Sequence, residues 1–235
     1  MAWKMPPAGP ASLTHYDLPL NFLASCGCAY GASYYPTAAL SALAYSGDER
    51  ASIGPGPGCG RCFQLTLRSA NGVQPPFVMH DPKPSVVVKI VDKCPSPEFC
   101  QASRRGSNKF GYQIHFDLAL PSPALNMSFF PSDAETYGYS DFGVWNIDYR
   151  MVSCEEWAGW SNLTNLGVEP SYPGHEDSCC PINPPYINQM CAQSIKAPPP
   201  SSTYKSGAVP SAPPSFMALL ILLSLLPSVL LPSIR

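Results

Sequence analysis

The chain has 235 residues, with 29 prolines, 17 glycines and only 13% charged residues, which argues against a helical bundle. Its formal net charge of −2 gives no reason to expect nucleic acid or an anionic membrane surface as a partner. We expect a turn-rich β protein with one domain of ordinary size plus tails.

The N-terminal residues 1–11 are expected to be disordered. The opening stretch MAWKMPPAGPASL lacks the apolar segment of a secretory signal, so no signal peptide is visible in it. The cysteines described below favour an exported protein, so either export is unconventional or the true start lies upstream of this methionine, and we favour the second explanation.

The central part of the chain carries patterns of short strands separated by long loops. Alternating or β-branched apolar residues predict strands, apolar residues at helical spacing predict one short helix, and a Gly/Pro-rich stretch predicts a loop. In chain order these segments are the helix at 35–46, the loop at 54–62 and strands at 63–69, 85–94, 111–120 and 142–154. Such a pattern is typical of a small closed β-barrel with little helix.

The predicted strand GYQIHFDLAL at 111–120 places two polar side chains within an apolar run. Because strand side chains alternate between faces, Ile114, Phe116 and Leu118 share one face. His115 and Asp117 then point together to the other face, which makes Asp117 the first candidate for chemistry.

The ten cysteines favour a disulfide framework and an extracellular location. The lone CxxC at 59–62 has no second CxxC or HxxxH to complete a zinc site, and we expect no metal and no cofactor. Two glycosylation sequons, at Asn126 and Asn162, also favour export.

The C-terminal part of the chain predicts a linker and an apolar tail. We place the folded domain at 12–191, a Pro/Ser-rich linker at 192–215 and the tail at 216–235. Small residues at 206–208, a polar spacer and the apolar tail fit a signal for glycosylphosphatidylinositol (GPI) attachment. The alternatives are an ordinary membrane anchor and an artefact of the gene model, and we expect membrane contact only through a C-terminal anchor.

Four motifs in order carry a resemblance to a known family: CGRCFQLTL, VVVKIVDKCP…FC, IHFDLA and VSCEEWAGW, preceded by THY at 14–16. Over about residues 13–191 the chain resembles glycoside hydrolase family 45 endoglucanases, and most of all their expansin-like fungal branch. The resemblance implies a six-stranded double-psi β-barrel with long disulfide-pinned loops and minor helix. It also implies an open groove that binds β-1,4-glucan, in a protein that we expect to be monomeric.

By the same resemblance, Asp117 is the general acid of an inverting glycosidase. The physical chemistry agrees, because a carboxyl group emerging from an apolar strand is poorly solvated, and its pKa is therefore raised. The alternative is a structural aspartate that caps a turn or binds backbone amides.

The general base has no clear match in this chain. In the main branch of the family it follows the threonine of the first strand by four residues, whereas Asp17 follows Thr14 by three and should face away from it. The fungal branch uses an asparagine in a loop that here, at 94–100, contains none. Asp92 matches a family aspartate in the groove and is assigned a supporting role, and Glu98 is interpreted as a solvated loop carboxylate.

The resemblance also implies sugar-binding residues. Thr14 and Tyr16 match a groove-lining pair, and Trp157 matches a tryptophan near the acid, with core packing as its alternative. His115 shares the face of Asp117 and is expected to bind the acid or the substrate, with a hydrogen-bonded residue of the barrel wall as the alternative. Trp145 is expected in the core.

Two main functions remain open from the sequence. One is an inverting endo-β-1,4-glucanase that acts on plant or fungal cell-wall glucan, has an unidentified base, and is weak if that base is absent. The other is an expansin-like protein that binds glucan and loosens walls without hydrolysis. A passive surface lectin or structural protein is a third possibility.

Overall fold

The computed structural model describes residues 3–19, 22–28, 33–47 and 55–161. All of them lie in Met1–Pro200, the first of the two units into which the chain divides. The predicted linker and tail, and the second sequon, fall outside these residues. In the part of the chain that is described, no helix has the length and apolarity needed to cross a bilayer.

Six strands dominate the described residues. They are β1 (Ala8–Asp17), β2 (Thr37–Ser41), β3 (Cys62–Ala70), β4 (Ser85–Cys94), β5 (His115–Leu120) and β6 (Trp145–Val152). The helices are short: α1 (Ala42–Ser46), α2 (Ala134–Tyr137) and two single 3₁₀ turns at Met127–Phe129 and Cys154–Glu156.

The strands close into a barrel in the order β1-β5-β2-β4-β3-β6, with β6 returning to β1. The pairs β1/β5 and β2/β4 are parallel, and the other four pairs are antiparallel. The predicted fold class, a six-stranded double-psi β-barrel with minor helix, is confirmed.

The barrel interior is filled by alternate residues of every strand, as the pleat requires. Phe63, Phe116 and Tyr149 form a cluster of three rings, with centroids 5.3 to 6.1 Å apart. Phe63 and Phe116 are fully buried, and burial of each such side chain stabilises the fold by about 1.5–3 kcal/mol. The residues between these interior positions point to the outer face of the barrel, where polar side chains can lie.

Disulfide bonds cross-link the loops and strand ends, as the cysteine count predicted. The pairs are Cys26–Cys59, Cys62–Cys154 and Cys94–Cys100. Cys28 is disulfide-bonded as well. The remaining three cysteines lie outside the described residues.

Two predicted boundaries are wrong. Residues 3–11 are not a disordered leader, because β1 begins at Ala8 and Trp3 packs against the core. The segment 35–46 is not one helix, since Thr37–Ser41 is a buried strand between β4 and β5, and only Ala42–Ser46 is helical. Pairing with two neighbours outweighs the local helical spacing there.

Candidate functional site

The predicted acid lies in a row of residues that runs across four strands. Thr14 of β1 is in register with Asp117 of β5, which faces Ala39 of β2, and Ala39 in turn is in register with Asp92 of β4. Residues in register point to the same side of a sheet. Asp117 and Asp92 are thus two strand spacings apart, roughly 9–10 Å between their Cα atoms, with a small residue between them.

The carboxyl group of Asp117 is partly buried and holds its proton at mild pH. Burial raises its pKa to about 6, while a hydrogen bond from Thr14 and the charge of His15 oppose this rise and the charge of Asp92 adds to it. The Thr14 hydroxyl donates to Oδ1 over 2.7 Å, and Oδ2 lies 3.8 Å from Sγ of Cys94. A carboxyl group with this pKa is able to give up a proton near pH 6.

A buried chain of hydrogen bonds leads to Asp117. Nδ2 of Asn108 lies 3.0 Å from the Ser12 hydroxyl, which lies 2.8 Å from Nδ1 of His115. Nε2 of His115 lies 2.9 Å from the Thr14 hydroxyl, the group that donates to Asp117. His115 is fully buried, and burial lowers its pKa to about 3, so the ring is neutral and one of its nitrogens donates while the other accepts.

Asn108 anchors the far end of this chain. Its Oδ1 accepts the backbone N–H groups of Phe110 and Tyr112, each over 3.0 Å, and its Nδ2 donates to the carbonyl of Phe99 over 2.7 Å. With both amide atoms assigned in this way, Nδ2 must also be the donor to Ser12.

The other end of the chain sets the direction of the remaining hydrogen bonds. Thr14 has one hydroxyl proton and donates it to Oδ1 of the Asp117 carboxylate, so Nε2–H of His115 donates to Thr14 and Ser12 donates to Nδ1 of His115. In the ionised state of Asp117, every hydrogen bond of the chain therefore points towards this carboxylate.

Asp92 is held as a structural acceptor beside the acid. Its Oδ1 accepts the backbone N–H groups of Ser25 and Lys93, both over 2.8 Å, and its Oδ2 accepts the Tyr16 hydroxyl over 3.2 Å. Burial, together with the charges of Asp92 and Asp117, raises the pKa of Tyr16. Tyr16 therefore stays a neutral donor, and the structure brings it together with both aspartates.

Asp17 and Glu98 do not join this site. β1 is regular to Asp17, so Asp17 points away from the face shared by Thr14 and Tyr16, and it is exposed. Glu98 is exposed and pairs with Lys109 over 2.6 Å, which lowers the pKa of Glu98.

Two residues that the sequence assigned to sugar binding, Trp157 and His115, are buried, so this assignment is corrected for both. Trp157 is 1% exposed, its indole N–H donates to the carbonyl of Pro36 over 2.8 Å, and Tyr35 packs edge-on against it. It is a core residue, like Trp145, whose core position was predicted and is confirmed. His115 has no surface to offer a sugar, and its contact is with Thr14 instead.

Sequence reasoning missed Ser12 and Asn108. Ser12 lies two residues before Thr14 on the same face of β1, so strand alternation could have found it. Asn108 lies in the loop before β5, where no periodic signal exists.

One group within the described residues has the composition of a metal site. Ligand atoms of Cys94, Cys100 and His115 lie within 4.8 Å of one another. The two sulfurs are joined in a disulfide, so neither is the thiolate that binds metal. The group does not fit a metal ion.

Comparison with known proteins gives a family match and similar solved structures. The family model described as EXPB1-like domain 1 matches residues 11–159. No curated protein matches the chain. Among solved structures, β-1,4-D-endoglucanase Cel45A from the blue mussel Mytilus edulis is 22% identical with a TM-score of 0.47, covering 73% of this chain and 90% of that one. GH45 endoglucanase EG27II, in complex with cellobiose, is 19% identical with a TM-score of 0.45, covering 65% of this chain and 86% of that one.

Proposed function

Because the chain belongs to the family described as EXPB1-like domain 1, we propose that its barrel binds β-1,4-glucan and hydrolyses it slowly, with Asp117 as the general acid. The observation that carries the proposal is the carboxyl group of Asp117, whose pKa burial raises to about 6 on the outer face of the barrel. Tyr16 and Thr14 flank it on that face and are assigned to substrate binding.

The chemical step follows from this geometry. Asp117 transfers its proton to the glycosidic oxygen as the bond from C1 to that oxygen breaks. A water molecule attacks C1 from the opposite side of the sugar ring, which inverts the configuration, and its proton passes to solvent. The hydroxyl of Thr14 stabilises the carboxylate left on Asp117.

The attacking water receives little help from the described residues. Asp92 already accepts three hydrogen bonds, Asp17 faces away, and Glu98 pairs with Lys109. General base assistance contributes about 10²–10⁴-fold, so a site without it turns over slowly. Asp92 supports the site by holding Tyr16.

The test is release of reducing sugar from mixed-linkage β-glucan by the wild type and by Asp117→Asn. We expect slow release by the wild type and about 10²-fold or greater loss in the variant, because the amide has no proton to give. The control is Asp148→Asn, an exposed carboxylate on the far side of the barrel, which should match the wild type. Equal release by wild type and Asp117→Asn would refute the assignment.

A second function is favoured by the lack of a base among the residues that the structure describes. An expansin-like domain would bind glucan and loosen walls without hydrolysis. In that case the wild type binds insoluble cellulose and weakens cellulose paper under load, but it releases no reducing sugar.

We also propose that the domain works outside the cell. The three described disulfides need an oxidising compartment, and the sequon asparagine Asn126 is exposed, as glycosylation requires. For the tail at 216–235 we retain GPI attachment as the proposal, on its sequence pattern alone.

A further inference from the structure

We propose that the loop joining β4 to β5 forms an additional sugar subsite beside Asp117, made of a stacked phenylalanine pair and a polar pocket beyond it. The subsite would hold glucan residues away from the bond that is cleaved. This inference rests on the proposed function, since it assumes a glucan chain at Asp117.

The first component is the pair Phe99 and Phe110. Their rings are stacked with centroids 5.3 Å apart and planes at 16°, and both side chains are partly exposed. Each ring centroid lies 6.3 Å from that of His115, which is fully buried. Because His115 precedes Asp117 by two residues on the same face of β5, the pair lies about 7 Å along the strand from the acid.

A small apolar cluster lies between the acid and this pair. It consists of Ala39, Cys94 and Cys100, each at most 2% exposed, and both Tyr16 and Phe99 pack against it. The cluster itself is out of reach of a ligand, but it holds Tyr16 and Phe99 in place, and these two rings are partly exposed. Aromatic rings suit the C–H faces of pyranose rings, so a glucan chain at Tyr16 and Asp117 would continue onto Phe99.

Hydrogen-bonding groups border the aromatic pair. Nζ of Lys109 lies 4.3 Å from the ring centroid of Phe99 and 5.4 Å from that of Phe110, and it pairs with Glu98. The ion pair is exposed and nearly neutral as a unit, so it offers a donor and an acceptor for sugar hydroxyls without selecting a charged ligand.

The second component is a pocket of about 310 Å³. It is lined by Ala42, Gln101, Ala102, Ser103 and Ser107. Its polar side chains are neutral amides and hydroxyls, which both donate and accept, so its chemistry matches a hydroxyl-rich, uncharged sugar.

The pocket lies on the side of His115 away from Asp117. The side-chain amide of Gln113, two residues before His115, donates to the backbone carbonyls of Ser103 and Arg104. The order along the surface is therefore the acid, the phenylalanine pair and then the pocket. A short oligosaccharide at Asp117 would leave the pocket empty, and a longer one would reach it.

The experiment is calorimetric titration with cellotriose and cellohexaose, carried out in the Asp117→Asn background so that the ligands stay intact. Two variants disturb the subsite: Phe110→Ala removes a ring, and Ser107→Trp fills the pocket from an exposed position. The matched controls are Val78→Ala, which removes an exposed apolar side chain on the β3 side, and Ser85→Trp, at the opposite end of β4 from Asp92.

We expect the Asp117→Asn protein to bind cellohexaose more tightly than cellotriose. Phe110→Ala should weaken cellohexaose binding about tenfold, because one aromatic contact is lost. Ser107→Trp should weaken it by a similar factor, because the new ring fills the pocket, and the controls should leave it unchanged. Unchanged melting temperatures would exclude unfolding, and Ser107→Trp remains decisive if Phe110→Ala fails to fold.

Two results would overturn the inference in different ways. If Asp117→Asn binds cellohexaose but the subsite variants bind it within about twofold as well, the subsite is wrong and glucan binding stands. If no oligosaccharide binds the parent protein, the proposed function itself fails, and the subsite falls with it.

Discussion

The carboxyl group of Asp117 is subject to two opposing influences. Burial favours its protonated form, whereas the Thr14 hydroxyl donates to it and favours the ionised form. Burial is the larger effect, and it leaves the pKa at about 6. Asp117 is therefore protonated and uncharged below that pH. Activity that depends on this proton declines as the pH rises through about 6.

The Thr14 hydroxyl supplies a test of this balance. Thr14→Val removes the donor, so the pKa of Asp117 rises further, and the alkaline limb of kcat/KM against pH should move upwards by about one pH unit or less. Thr14→Ser keeps the hydroxyl and should keep the limb in place. A limb that moves to lower pH in Thr14→Val would contradict the assigned hydrogen bond.

Single residues also differ in how far the sequence could reveal them. Strand alternation alone was enough to place His115 and Asp117 on one face of β5. The core position of Trp157 depends on Pro36 and Tyr35, which are more than a hundred residues away in the chain. No local pattern carries that information.

Among the elements, β2 has the largest effect on the shape of the site. It is short and wholly buried, and it separates β5 from β4, so its residue Ala39 lies between the two aspartates. The small side chain lets the hydroxyl of Tyr16 reach Asp92 across the strand. The segment was predicted as helix because its apolar spacing fits both periods, and only its two partner strands decide the outcome.

Enlarging Ala39 should close this part of the site. Ala39→Leu places a branched side chain where Tyr16 packs, so the hydrogen bond from Tyr16 to Asp92 is lost, and glucan affinity should fall about tenfold or more. Binding of cellohexaose by titration measures this loss. In Ala39→Ser the side chain is nearly the size of alanine, so this variant should bind cellohexaose with the affinity of the wild type. If Ala39→Leu binds cellohexaose equally tightly, the ligand lies elsewhere.

For the molecule as a whole, the barrel closes between distant parts of the chain. β6 pairs with β1 and β3, and Cys62 at the start of β3 is bonded to Cys154 just after β6, across 92 residues of sequence. The order of the sequence motifs predicted the barrel. It could not predict which cysteines pair, because the pairing depends on which loop ends meet in space.

The disulfides should differ in their contribution to stability. The chain-entropy relation gives about 4–5 kcal/mol for Cys62–Cys154 and about 2–3 kcal/mol for Cys94–Cys100, which spans only 6 residues. Urea unfolding of the two double alanine variants measures both free energies. A larger loss from the short loop than from the long one would show that contacts in the loop, rather than chain entropy, dominate.

The chain of hydrogen bonds behind Asp117 contains no second group that titrates at mild pH. The Asn108 amide does not titrate, and burial lowers the pKa of His115 to about 3, so its ring stays neutral. Asp117 therefore gains and loses its proton near pH 6 without a change of charge elsewhere in this chain, and a single ionisation should describe its titration.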